Sequence, residues 1–305
     1  MHSGKLKRKE FRTALLFVSP FLIGFLLFNL YPIVMSLYYS FTDFSILSTP
    51  HFVGLDNYRK LFSDALFWKS IKNTLYITVL GVPMTTIVAL LTALLLNRRT
   101  RCVGIFRTLI YIPAVVPPVA ATLLWTWMLN PEYGSINSML KMIGITGPGW
   151  LADYRWAKPA ILLMLVWAIG GTMVLYLASL QDVPKELYEA GELDGANKVQ
   201  LFFHITIPFI KPVIFYNVVT GIINMSQFFT QAYVVGSKGG GNAGLGAPNN
   251  STLFYCLYLF KNGFGFLKMG YASAMAWLLL IFSLIVTWLL LKYSGFFQDD
   301  RMEAK

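Results

Sequence analysis

Charged residues are placed so unevenly along this chain that six long stretches contain none: 13–42, 73–97, 108–131, 159–181, 212–237 and 269–291. A helix needs about 20 apolar residues to cross the hydrocarbon core of a bilayer, and each stretch is long enough. Lipid offers no partners to backbone N–H and C=O groups, so a continuous apolar run of this length must be helical. A seventh charge-free stretch, 239–260, opens on glycines, asparagines and Pro248, so it is expected to be a loop running into a short apolar segment. With 56% hydrophobic and only 13% charged residues, the chain falls well below the roughly 25% charge of a soluble domain. The expected fold is therefore an all-α integral membrane protein of about six transmembrane helices. These are placed near 13–40, 74–96, 105–129, 157–179, 212–235 and 271–292, in one domain covering 1–305. The basic run Lys5, Lys7, Arg8, Lys9 and Arg12 precedes the first of them. The apolar run that follows exceeds the 7–15 residues of a signal peptide core, so it is kept as a span.

The net charge of +11 is scattered between the spans rather than gathered into the dense stripe that nucleic acid would require. It fits the excess of Lys and Arg found on cytoplasmic loops. Arg98, Arg99, Arg101 and Arg107 crowd the short connection between the second and third spans, which places that connection and both termini in the cytoplasm. Cys102 then lies inside and Cys256 outside, too far apart to be bridged. Outside, 55–74 sets Leu55, Tyr58, Leu61, Phe62, Ala65 and Leu66 against Asp56, Arg59, Lys60 and Asp64, the pattern of a helix lying in the membrane interface. Pro113, Pro117 and Pro118 fall within six residues of the third span and predict a bent or partly unwound helix beside a pathway.

Several chemistries are excluded. His2, His51 and His204 have no acidic or cysteine partners at metal-ligand spacing. No carboxylate lies inside a span to relay protons, as an ion-coupled carrier would require. The glycine-rich loop at 236–248 lacks the Lys-Ser/Thr ending of a phosphate-binding loop, so the chain binds no ATP by that motif and is expected to be non-catalytic, without a cofactor.

The one long polar stretch on the cytoplasmic side is 181–208. Pro184 suits the first turn of a helix, Leu187, Ala190, Leu193 and Asp194 recur at helical spacing, and Gly195 can end it. A second piece carries Val199, Phe202 and Phe203 on one side, and Pro208 is expected to stop it. In the fifth span Asn217, Asn224, Gln227 and Gln231 follow at spacings of seven, three and four, which puts them on one helical face. A single amide in a membrane helix is as easily interhelical glue as a ligand contact. Four on one stripe favour a lined path for a neutral polyhydroxyl solute. Trp167, Gly170, Gly171 and Thr172 of the fourth span are weaker candidates, because paired glycines also serve to admit a neighbouring helix.

Glu189-Ala190-Gly191, then Gly195, then Ile205-Thr206-Ile207-Pro208 nine residues later, resembles the EAA motif of bacterial ABC importer permeases. Gly191 stands where the motif has a third alanine and Ile207 where it has leucine. The stretch 53–58, Asn73-Thr74, Arg107 with Ile112-Pro113, Asp194-Gly195-Ala196 and Gly270-Tyr271-Ala272 are similar to the maltose-type carbohydrate permeases. The resemblance implies a permease subunit in the bacterial cytoplasmic membrane that forms half of a sugar or oligosaccharide pathway by alternating access. It implies that Glu189, Ala190, Gly191, Asp194, Gly195 and Pro208 form a coupling helix seated in an ATPase subunit, and that Asn224 and Gln227 contact the sugar. Implied partners are a second homologous permease subunit, two ATP-binding cassette ATPases holding ATP and Mg, and an extracellular or periplasmic solute-binding protein. A permease for glycerol phosphate or peptides is the nearest alternative.

Overall fold

The computed structural model describes residues 3–98, 101–237 and 246–293. Arg99, most of the 236–248 loop, and the C-terminal Arg301 and Lys305 lie outside the described residues. In chain order the helices are α1 (Ser3–Phe25), α2 (Tyr31–Ser40), α3 (Asp56–Ser63), α4 (Ala65–Leu96), α5 (Val103–Val115), α6 (Pro118–Met128), α7 (Ser135–Met142) and α8 (Ala157–Trp167). They continue as α9 (Gly170–Gln181), α10 (Lys185–Leu193), α11 (Lys198–Leu201), α12 (Ile207–Ser226), α13 (Thr230–Ser237), α14 (Tyr255–Phe260) and α15 (Met269–Tyr293). Extended pairing among the described residues is confined to isolated bridges such as Thr42 with Phe52.

Phe11–Ser40, Ala65–Leu96, Lys198–Gly236 and Met269–Lys292 are each long and apolar enough to cross a bilayer. Two further spans are broken: α5 and α6 meet at 101°, and α8 and α9 at 46°. With each bent pair counted as one span there are six. The second span starts at Ala65, nine residues before its expected place, so the interfacial helix is only α3. It ends because Asp64 adopts extended backbone (φ −86, ψ 115) and its carboxylate accepts from the Tyr271 hydroxyl at 2.8 Å. The connection between the third and fourth spans also holds α7, which the charge-free windows do not reveal.

The chain forms two compact units, 1–64 with 259–280, and 65–258 with 281–305. In the first, Gly54 turns the chain at φ +59, and the Asn57 amide donates to the carbonyls of Ser40 (2.9 Å) and Thr42 (2.7 Å). It thereby occupies carbonyls that the end of α2 leaves without helical partners. The Gly270 N–H donates to the Phe44 carbonyl at 2.9 Å, and a Cβ at Gly270 would run into the Thr42 carbonyl oxygen. These contacts give physical roles to the Gly-Leu-Asp-Asn-Tyr and Gly-Tyr-Ala stretches singled out in the sequence.

In the second unit, α4, α9 and α12 enclose Ala89, Ala93, Met173, Tyr176, Leu177 and Ile210. Alanines on α4 let the larger side chains of its neighbours pack closely. At one end Asn73, 1% exposed, donates from its amide to the carbonyls of Asn250 (2.8 Å) and Leu253 (3.0 Å) and accepts from Lys158 Nζ at 3.2 Å. Thr74 accepts from the Tyr255 N–H at 2.8 Å. At the other end Arg107 donates to the Leu96 carbonyl at 3.0 Å and caps the C-terminus of α4, where its charge also opposes the negative end of the helix dipole.

Candidate functional site

The 181–208 segment folds as two short helices joined by a bend. Pro184 precedes the first turn of α10, and Gly195 follows its last at φ +82. The N–H of Gly195 donates to the Glu192 carbonyl (3.0 Å) and that of Ala196 to the Gly191 carbonyl (2.9 Å), the paired bonds of a Schellman end. Asn197 then caps α11: its side chain accepts from Val199 N (3.0 Å) and Gln200 N (2.9 Å), while Gln200 Oε1 accepts from Asn197 N (2.8 Å). The Asn-x-x-Gln spacing is the sequence signature of this capping box.

Pro208 does not stop the chain, contrary to the sequence expectation. A π turn at Phe202–Thr206 leads α11 directly into α12, with Pro208 in the first turn of α12, where a missing N–H costs little. The fifth span therefore begins within the 181–208 segment, at Lys198, rather than at 212. Tyr188 of α10 shares a 2.8 Å hydrogen bond with buried Thr206, and Tyr188, Ile205 and Ile207 pack on the α4–α9–α12 core. Gly191 faces Leu201 and Ile205: a Cβ there would lie 2.6 Å from Leu201 Cδ2. The glycine in place of the family's alanine lets that leucine lie against α10. Glu189, Ala190, Asp194 and Gly195 are exposed, as are Leu193 (89%) and Val199 (64%). Leu193 and Val199 thus turn away from the core. Leucine and valine left in water on a short, well-capped segment make a surface suited to burial by another protein.

The amides of the fifth span do not share one environment. Asn217 is buried, donates to the Val213 carbonyl at 2.9 Å and lies beside the Tyr176 hydroxyl. Asn224 and Gln227 are exposed. The span breaks after Ser226, so Gln231 sits on α13 and lines a cavity of about 230 Å3 at the α5–α6 elbow. Trp167 and Thr172 line the same cavity, joined by Trp125 and Thr122 of α6, which no local sequence signal marked. Trp125 and Trp167 meet edge to face with centroids 5.9 Å apart. The two glycines divide the roles left open for them: a Cβ at Gly170 would collide with the Ile110 carbonyl, whereas Gly171 has open space and faces the cavity.

A membrane bundle whose broken helices enclose a small cavity, with a capped helical pair leading into one of its spans, is the architecture of a transport component. Among the described residues no cluster of His, Cys, Asp or Glu is arranged to hold a metal. The family described as binding-protein-dependent transport system inner membrane component matches residues 81–293, and the chain belongs to it. It is 37% identical to the probable ABC transporter permease protein YesP of Bacillus subtilis (strain 168), over 97% of this chain and 94% of that protein. It is 35% identical to the lactose transport system permease protein LacF of Rhizobium radiobacter, over 94% of this chain and 95% of that one. Its fold matches a chain of a bacterial ABC transporter involved in the import of the acidic polysaccharide alginate, with a TM-score of 0.79, 24% identity and coverage of 95% and 98%.

Proposed function

We propose that this chain is one permease subunit of an ATP-driven importer for a sugar or oligosaccharide, forming a single transmembrane domain in a bacterial cytoplasmic membrane with both termini inside. The observation that carries the reading is the α10–α11 pair. It is rigidly capped, tied to α12 through Tyr188 and Thr206, and presents Leu193 and Glu189 outward. A lever held in this way transmits a rigid-body motion of a partner to the spans it is attached to. The partner is an ATPase subunit that supplies ATP and Mg, present in two copies. A second homologous permease completes the pathway, and a solute-binding protein delivers the sugar from outside. The relatives named for sugars support the substrate class.

The test is Glu189→Lys in the assembled complex. Charge reversal at a close interface costs several kcal/mol, so uptake should fall at least tenfold while insertion of the chain into the membrane persists. Normal assembly with normal uptake would leave the segment as no more than a connection. ATP turnover by the purified single chain would contradict the division of labour.

A further inference from the structure

The orientation that places Arg98, Arg101 and Arg107 inside sends three lysines to the opposite side, against the rule that explains the arginines. Lys69 and Lys72 stand in the first turns of α4 and Lys158 in the first turn of α8. They gather at one place. Lys158 Nζ lies 4.6 Å from the centre of the Tyr76 ring and donates to the Asn73 amide oxygen at 3.2 Å, and Lys69 is close enough to repel it. Lys69, Lys72 and Tyr76 follow at spacings of three and four, so they share one face of α4. Among the described residues none of the three lysines makes an ion pair. The nearest carboxylates along the chain, Asp64 and Asp153, accept from the Tyr271 hydroxyl and the Arg155 N–H instead. Like charges held together without a counter-charge repel, so this cluster is stabilised by an anion from outside the chain.

The bilayer supplies an anion at this depth. With 32 residues α4 is about 48 Å long, against a hydrocarbon core of about 30 Å, so its first turns stand among the headgroups. Trp68, Lys72, Leu75 and Val79 recur along one stripe of α4, on which Trp68 (44%), Leu75 (52%) and Val79 (57%) are all exposed. Apolar side chains exposed on a span meet acyl chains, and tryptophan marks the headgroup level. Lys72 therefore stands on the lipid side, between an interfacial indole and an apolar pair. Its methylene stem can lie along that stripe while the ammonium reaches a phosphate.

We propose that Lys69, Lys72 and Lys158 form a binding site for the phosphate of an anionic phospholipid, whose acyl chains lie along Leu75 and Val79. The bound headgroup neutralises the cluster and ties the first turn of α8 to those of α4. The leaflet is the outer one, and this element alone rests on the orientation given under the proposed function.

The experiment is native mass spectrometry of the assembled permease complex, delipidated in detergent and titrated with phosphatidylglycerol or with phosphatidylcholine of the same chains. The complex should retain phosphatidylglycerol in preference to phosphatidylcholine. Lys69→Gln with Lys72→Gln should lose one bound phosphatidylglycerol, the affinity falling about fivefold for each lysine removed. Lys69→Arg with Lys72→Arg should keep it. Both lysines are exposed, and an unchanged thermal midpoint in phosphatidylcholine checks that the variants fold. Glycerol phosphate at the same concentration should not displace the lipid, because it has no chains to lay on the stripe. Equal retention of the two lipids, or unchanged phosphatidylglycerol binding in the glutamine variant, overturns the proposal. So does displacement by glycerol phosphate, which would make this a site for a soluble anion. If the glutamine variant keeps its lipid but loses stimulation of ATP hydrolysis by sugar-loaded binding protein, the lysines face that protein and the lipid site falls. Labelling of Cys102 from outside would move the site to the inner leaflet and overturn the orientation, while the lipid titration still decides the site.

Discussion

The hydroxyl of Tyr188 lies 2.8 Å from that of Thr206, joining α10 to the base of the fifth span. The bond closes a loop between two elements that the Gly195 bend otherwise separates. Motion imposed on α10 therefore reaches α12 directly instead of being absorbed in the turn. Tyr188→Phe keeps the ring on the core and removes only the bond, a loss of about 0.5–1.5 kcal/mol. Sugar carried per ATP hydrolysed, measured in proteoliposomes with the whole complex, is expected to drop several-fold.

Gly195 should tolerate few replacements. At φ +82 its backbone suits glycine, and asparagine is the side chain that accepts such a conformation most readily. Gly195→Pro fixes φ near −65° and deletes the N–H that donates to Glu192, at about 3 kcal/mol or more. Uptake should be abolished by Gly195→Pro and largely kept by Gly195→Asn, with ATPase co-purification reporting whether docking survives.

Asn73 is expected to be a stability residue. Asn73→Leu leaves the Asn250 and Leu253 carbonyls and the Lys158 ammonium without their amide partner, at about 1–3 kcal/mol for each group left unpaired. Asn73→Asp supplies Lys158 with a charge but still removes both donated bonds, so it should not rescue. Thermal unfolding of the purified subunit complex would show a lowered midpoint for both. An unchanged midpoint for Asn73→Asp would mean that the loop is held by other contacts.

The amides of the fifth span should separate into two behaviours. Asn217→Leu, at a position only 9% exposed and beside Tyr176, is expected to reduce the amount of folded subunit. Asn224→Leu and Gln227→Leu, both at exposed positions, should leave that amount intact and cut uptake per complex about tenfold. Quantifying assembled complex and uptake on each variant distinguishes the two. Reduced assembly with normal uptake per complex for Asn224→Leu would make it interhelical glue instead.

The two cysteines offer a topology test. Cys102 is exposed at the turn between α4 and α5. Burial pushes the Cys256 thiol up to about 11, so at pH 7.5 it stays protonated and unreactive. A membrane-impermeant maleimide should label inside-out vesicles at Cys102 and leave intact cells unlabelled, with Cys102→Ser abolishing the signal. Labelling of intact cells at Cys102 would invert the assigned orientation.

The sequence determined the spans and the hinge chemistry because both depend on short-range physics. Charge-free runs of about 20 residues can only be helices in lipid, and Pro184, Gly195 and Asn197 each set the backbone within a turn of themselves. Tertiary structure alone decided which polar groups share a site. The stripe from Asn217 to Gln231 assumed one straight helix. The break after Ser226 sends Gln231 to the α5–α6 cavity, while Asn217 turns to Tyr176 and the core. Trp125 and Trp167 lie 42 positions apart in the chain and meet only because one span bends by 101° and the next by 46°. Pro117 and Pro118 announce the first of these bends, whereas the second stands beside Gly170 and Gly171 with no proline. The bend angles, and hence the partners they bring together, are set by the packing of neighbouring helices against the freed backbone, which no local spacing encodes.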